Sequence, residues 1–207
     1  IILRAAPGWC ARCRAKRVRK KRPNVPAKKK SEPVRKRILI VDDHPMMRQG
    51  LAQLIDNEPD LVTWCEADTA AQALNLIAAR KPDLVLVDIS LPDKNGLELI
   101  KDIQVFNPGL PVLVFSMHDE SLYAERVLRA GARGYIMKQE GGKKLMEAIR
   151  LVFNGKIYVS EKISAKILEI FSGRRAGALE SSVELLSDRE FEVFQLIAQG
   201  KSTREIA

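Results

Sequence analysis

Cysteine is scarce in this chain of 207 residues, and what there is builds no framework. Cys10, Cys13 and Cys65 are too few and too scattered for the disulfide staples of a small secreted domain. No apolar run approaches the roughly 20 residues that a membrane-spanning helix needs, so no membrane partner is expected. Residues 1–9 are too short and too mixed for a signal-peptide core, and the expected location is cytoplasmic. No G-x-G-x-x-G follows any strand-like run, which removes a dinucleotide-binding reading. Methionine is also missing before Met46.

What is present is a normal globular composition, 46% hydrophobic and 29% charged, carrying a net charge of +9. That charge is not evenly spread. Residues 1–37 hold fifteen of the 35 basic residues and only Glu32 of the 26 acidic ones, so this stretch carries +14 and the remainder −5. A charge block without period is disordered by composition. Residues 1–35 are therefore expected to be a disordered, non-native basic extension and not a nucleic-acid-binding arm, with the native chain starting near Val34 at a valine-type codon. Trp9-Cys10-Ala11-Arg12-Cys13 has C-x-x-C spacing. It lacks the preceding strand and following helix of a redox site and the second ligand pair of a zinc site.

The informative stretch is Lys81 to Gly96, KPDLVLVDISLPDKNG. Leu84 to Val87 is a continuous apolar run of the kind that forms a strand buried on both faces. It ends on Asp88, and Pro92, Asp93, Asn95 and Gly96 supply turn chemistry before a helical pattern. A carboxylate thus stands at the carboxyl end of an interior strand, where open α/β sheets place ligands.

The same unit recurs along the chain. Arg37 to Val41 is a strand ending on Asp42-Asp43, followed by a helix over 44–57. Strands over 61–65, 111–116 and 134–138 alternate with helices over 69–80, 96–106, 121–130 and 142–154. Five strands alternating with five helices predict a doubly wound, five-stranded parallel sheet of the α/β class, flavodoxin-like in its layers. The strand ends carry Asp42, Asp43, Asp88, Ser116 and Lys138, which one edge of such a sheet brings together. Clustered carboxylates repel one another, and a hard divalent cation relieves the repulsion; all-oxygen ligation suits Mg²⁺. With an ammonium group and a hydroxyl added, the set has the parts of an aspartyl-phosphorylation site in which Asp88 attacks in line.

On these residues, with Pro92, Gly96 and Tyr135, the stretch 36–156 resembles the CheY-like receiver domain of two-component response regulators. The resemblance implies Asp88 as phospho-acceptor, aided by Lys138 and Ser116. It implies Mg²⁺ held by Asp43, Asp88 and the Ser90 backbone carbonyl, with Asp42 acting directly or through water. It also implies a switch pair, Ser116 and Tyr135, in which the hydroxyl turns toward the phosphoryl group and the ring follows inward. Met117 stands where many receivers carry a small residue and is expected to narrow access to Asp88. His118 is expected to be a loop residue and not a phospho-carrier.

Residues 157–185 are expected to be a linker. Ser160 caps an amphipathic helix with Ile163, Ile167, Ile170 and Phe171 on its apolar face, and a Gly/Ser/Ala-rich flexible stretch covers 172–182. From Leu186 the chain reads LSDREFEVFQLIAQGKSTREIA. Ser187 with Glu190 forms a capping box and Gly200 ends the helix. Residues 186–207 resemble the opening of the LuxR-type helix-turn-helix domain, with Thr203 where Asn is usual. No recognition helix is included, so no DNA-reading residue can be named, and this all-α segment is expected to fray or to lean on the linker helix. The implied function is a response regulator of the LuxR (NarL/FixJ-type) family. Its expected partners are a sensor histidine kinase, DNA in the complete protein, and a second copy of itself after phosphorylation. It is not expected to be an enzyme, since it turns over no separate substrate. The alternative is a stand-alone receiver acting through protein contacts. A haloacid-dehalogenase-type phosphohydrolase needs a second Asp where Ser90 stands, which counts against it.

Overall fold

The computed structural model describes residues 35–171, 186–198 and 200–206. The readings of residues 1–34, including the C-x-x-C stretch, and of the Gly/Ser-rich stretch 172–182 lie outside the described residues, as do the side chains of Ile170 and Phe171.

Five strands, β1 (Lys36–Val41), β2 (Leu61–Ala67), β3 (Leu84–Val87), β4 (Val112–Ser116) and β5 (Gly134–Met137), form one sheet in the order β2-β1-β3-β4-β5, every pairing parallel. Helices α1 (Pro45–Asp56), α2 (Ala70–Arg80), α3 (Gly96–Phe106), α4 (Glu120–Arg129) and α5 (Gly142–Phe153) make the crossovers. The order reverses between β1 and β3, and in a doubly wound sheet that switch point is where ligands bind.

Alternation along each strand divides the core between the two faces. Leu39, Val41, Val85, Val87, Val112 and Val114 pack with α2, α3 and α4. Ile38, Ile40, Leu84, Leu86, Leu113 and Phe115 pack with α1 and α5. Both faces are covered, which is why the strands read as unbroken apolar runs instead of alternating ones.

The helix ends follow their sequence signals. Thr69, Asn95 and Asp119 accept backbone N–H groups at the starts of α2, α3 and α4. The loop after β3 adds a cap that the sequence did not announce: the Asp93 carboxylate accepts the N–H groups of Ala70 and Ala71, both at 2.9 Å, and so ties that loop to α2. Gly96 is required by close approach, because a Cβ there would lie 2.4 Å from the Asp88 carbonyl oxygen.

After α5 the chain returns along β5, where the Tyr135 N–H donates to the Tyr158 carbonyl and the Tyr158 N–H to Arg133. Helix α6 (Glu161–Phe171) begins at Ser160, whose hydroxyl accepts the Ile163 N–H and whose own N–H donates to the buried Glu120 carboxylate of α4. Ile163 is buried in the main core and Ile167 packs against it. The capping box also forms, Ser187 N–H to Glu190 at 2.8 Å, and opens α7 (Asp188–Ala198); Gly200, at φ +79°, ends that helix before α8 (Thr203–Ile206).

Helix α7 is seated on the receiver's helices. Phe191 is 2% exposed, packed edge-on against Tyr123 and beneath the Arg126 guanidinium, while Asp188 pairs with both Arg126 and Lys101. Its partners thus include α3 and α4, where the expectation named only the linker helix. The physical reason is that Phe191 finds an aromatic and cationic seat on α4.

Candidate functional site

β1 and β3 are paired so that Val41 faces Val87, and each strand is followed immediately by an aspartate. The Asp88 N–H donates to the Val41 carbonyl at 2.9 Å, so Asp42 and Asp88 leave the sheet side by side, both buried. Backbone donors fix their outer oxygens: Asp42 Oδ1 accepts the His44 N–H at 2.9 Å, and Asp88 Oδ1 accepts the Ile89 N–H at 2.6 Å. Arg48 holds the Asp42 carbonyl at 2.6 Å from the first turn of α1.

Lys138, expected at the end of β5, opens a short 3-10 turn just past it. Its side chain is 4% exposed and reaches over the end of β4 to the inner oxygens of Asp42, at 2.7 Å, and Asp88, at 2.6 Å. Burial alone would depress the ammonium's pKa. The hydrogen bonds it donates to Asp42 and Asp88 outweigh it and hold the group above its ordinary value. One cation therefore shares two carboxylates at the switch point of the sheet.

Asp43 stands differently. Its side chain is about a third exposed, yet its Oδ1 is buried and makes no hydrogen bond, although His44 Nδ1 lies 2.7 Å away. Asp42, Asp43, His44 and Asp88 each offer a ligand atom within 4.8 Å of the others. Three carboxylates, one with a buried oxygen met only by the His44 ring, suit a hard oxygen-seeking cation such as Mg²⁺. His44 was not expected here. It follows the two aspartates directly, and only the turn into α1 brings its ring back over them.

Ser116 is fully buried at the end of β4, and the His118 N–H points at its hydroxyl at 3.5 Å. Tyr135 is also fully buried, its hydroxyl donating to the His118 carbonyl at 2.8 Å. Burial pushes the Tyr135 phenol well above its ordinary pKa, with the Ser116 hydroxyl working against the shift. The switch ring thus lies inward already, where inward movement was expected on activation. The Tyr158 backbone lies along the outer edge of β5, and the ring packs within the core that also holds Ile163 of α6. Met117 is 58% exposed. The side chain that reaches the loop after β3 is its neighbour, His118, hydrogen-bonded to the Ser90 hydroxyl at 2.8 Å.

Residues 38–150 match the family model described as the response regulator receiver domain. Among curated proteins, the transcriptional regulatory protein DegU of Brevibacillus brevis is 30% identical over 182 residues, spanning 82% of this chain and 77% of that protein. The nitrate/nitrite response regulator protein NarL of Escherichia coli K12 is 33% identical over 170 residues, 82% of this chain and 78% of its own length. Among solved structures, a two-component response regulator of the LuxR family from Aurantimonas sp. SI85-9A1 superposes with a TM-score of 0.62 at 33% identity, over 67% of this chain and 99% of that one. A structure of two RcsB dimers bound to two parallel DNAs gives 0.61 at 26% identity, over 84% of this chain and 81% of that one.

Proposed function

The chain belongs to the response regulator family, with a receiver domain and relatives among the LuxR-type regulators, and from that premise we propose that Asp88 accepts a phosphoryl group from a sensor histidine kinase. The observation that carries this reading is the Lys138 ammonium shared between Asp42 and Asp88 at 2.7 and 2.6 Å. It fixes a carboxylate at the switch point while leaving a positive charge for phosphoryl oxygens.

An Asp88 oxygen forms the new bond to phosphorus as the bond from phosphorus to the donor's imidazole nitrogen breaks, its electron pair leaving with the imidazole. Lys138 follows the transferred oxygens, and the Ser116 hydroxyl donates to one of them. Mg²⁺ would be held by Asp43, Asp88 and the Ser90 carbonyl, with Asp42 direct or through water, and would supply the remaining neutralising charge. Tyr135 fixes the loop after β4 through the His118 carbonyl, so that a shift of Ser116 reaches α4. The protein acts as a switch and turns over no separate substrate.

Its output is transcriptional control through a LuxR-type DNA-binding segment, with dimers of the phosphorylated form. Among the described residues no helix is long and apolar enough to cross a membrane, and a cytoplasmic location suits a kinase-fed regulator.

Incubation with Mg²⁺ and a small phosphodonor such as phosphoramidate tests the proposal. The intact mass of the protein should rise by one phosphoryl group, and Asp88→Ala should abolish the gain. Equal labelling of the variant would reject Asp88 as acceptor.

A further inference from the structure

His44 stands at the N-cap of α1, yet its side chain accepts no backbone N–H there. The ring is turned instead toward the aspartates that precede it. Its Nδ1 lies 2.7 Å from Asp43 Oδ1 and 3.4 Å from Asp42 Oδ1. The shorter approach is not a hydrogen bond, because that Asp43 oxygen is buried and has no donor. Nitrogen and oxygen therefore sit side by side, as two ligands of one ion do. Ligand atoms about 2.1 Å from an octahedral ion stand about 3 Å apart along each edge and about 4.2 Å apart across it. The two separations bracket that edge, and one atom each from Asp42, Asp43, His44 and Asp88 lies within 4.8 Å of the others. The Lys138 ammonium takes Oδ2 of both Asp42 and Asp88, which leaves Oδ1 of each for a cation.

We propose that His44 is a nitrogen ligand of the cation held at this cluster, and that it turns the site's preference from Mg²⁺ toward first-row divalent ions that bind imidazole. The proposal rests on the reading of the cluster as the cation site that serves Asp88, and it alters the ligand set from all oxygen to oxygen with one nitrogen. Mg²⁺ gives up its water reluctantly and gains little from a nitrogen donor. Affinity for nitrogen rises instead from Mn²⁺ through Co²⁺ to Ni²⁺. A neutral ring with its proton on Nε2 has the Nδ1 lone pair free for a metal. The side chain is 68% exposed, so Nε2 keeps water as its partner while Nδ1 lies against the carboxylates. The other of the chain's two histidines, His118, is outside the set, its Nε2 being joined to the Ser90 hydroxyl.

The test uses the full chain without a histidine tag, titrated by calorimetry with MgCl₂, MnCl₂ and NiCl₂ at one fixed pH. His44→Gln keeps the backbone N–H that Asp42 accepts. In that variant the ratio of Ni²⁺ to Mg²⁺ affinity should fall by about tenfold or more, since even a residue behind a metal ligand is worth that much. The Mn²⁺ to Mg²⁺ ratio should fall less. Pulsed electron paramagnetic resonance of the Mn²⁺-loaded wild type should show the modulation of a directly bonded imidazole nitrogen. His44→Gln should lose that modulation and His118→Gln should keep it. The wild-type spectrum bears on the ligand whatever the stability of the variants. Absence of nitrogen modulation in the wild type, its survival in His44→Gln, or equal affinity ratios in the two proteins would each overturn the proposal. A wild type that binds the ions through oxygen alone removes this inference and leaves the cation site standing. A wild type that binds none of the ions, or an Asp43→Ala variant that binds them as tightly, removes the reading of the cluster as a cation site as well.

Discussion

Lys138 balances two buried carboxylates at once, and its loss is the severest single test of the site's electrostatics. In Lys138→Met, Asp42 and Asp88 would face each other without a counter-charge. Breaking a buried ion pair from one side costs about 3–5 kcal/mol, so thermal melting should fall by many degrees at neutral pH. Added Mg²⁺ should recover part of the loss by binding only the folded state, and Asp88→Asn in the same chain should recover part without metal. An unchanged melting temperature would show that the three groups do not interact as described. Asp42, Asp43, Asp88, Ser116 and Lys138 were legible in the sequence because each sits at or just past the end of an apolar run, and parallel strands align such ends. His44, Asp93 and His118 were not. Their partners come from loops, and loop paths are set by packing that no period in the sequence encodes.

At the scale of elements, the five-strand alternation and the helix caps could be read directly, since apolar runs and capping residues act locally. Where α7 would lie could not be. Phe191 reads as one more residue of an amphipathic stripe, and only the presence of Tyr123 and Arg126 on α4 makes it a buried anchor. This docking should depend on acidity. Burial by itself would raise the Asp188 pKa, but its hydrogen bonds to Lys101 and Arg126 carry it below the ordinary value. A carboxyl group with a depressed pKa contributes stability that is complete above its unfolded pKa, about 3.9, and is lost as pH falls through the folded value. Amide protection factors in α7, taken relative to the intrinsic exchange rate at each pH, should therefore stay constant above pH ~5 and fall below about pH 4. Asp188→Asn should lower protection above pH ~5 and remove the dependence on acidity. Protection that ignores both pH and this substitution would place the stability of α7 elsewhere.

For the whole molecule, the alternation with right-handed crossovers fixes the hand of each unit but not the order β2-β1-β3-β4-β5, which packing decides, and the strongly basic composition misleads unless its location is noticed. The body that carries the site is net acidic, and nothing in its bulk charge points to DNA. The output reading comes instead from the capping box, the Gly200 stop and the likeness to LuxR-family regulators. Sedimentation of the labelled protein should show dimers, whereas Asp88→Ala treated in the same way should stay monomeric; dimers in both would separate assembly from phosphorylation. The measurement that bears most directly on the central claim is chemical trapping of the acceptor. Borohydride reduces an acyl phosphate on aspartate to homoserine, and peptide mass spectrometry then reads its position. The account predicts homoserine at position 88 and nowhere else after labelling with phosphodonor and Mg²⁺; homoserine at another aspartate, or an unmodified position 88 in labelled protein, would contradict it.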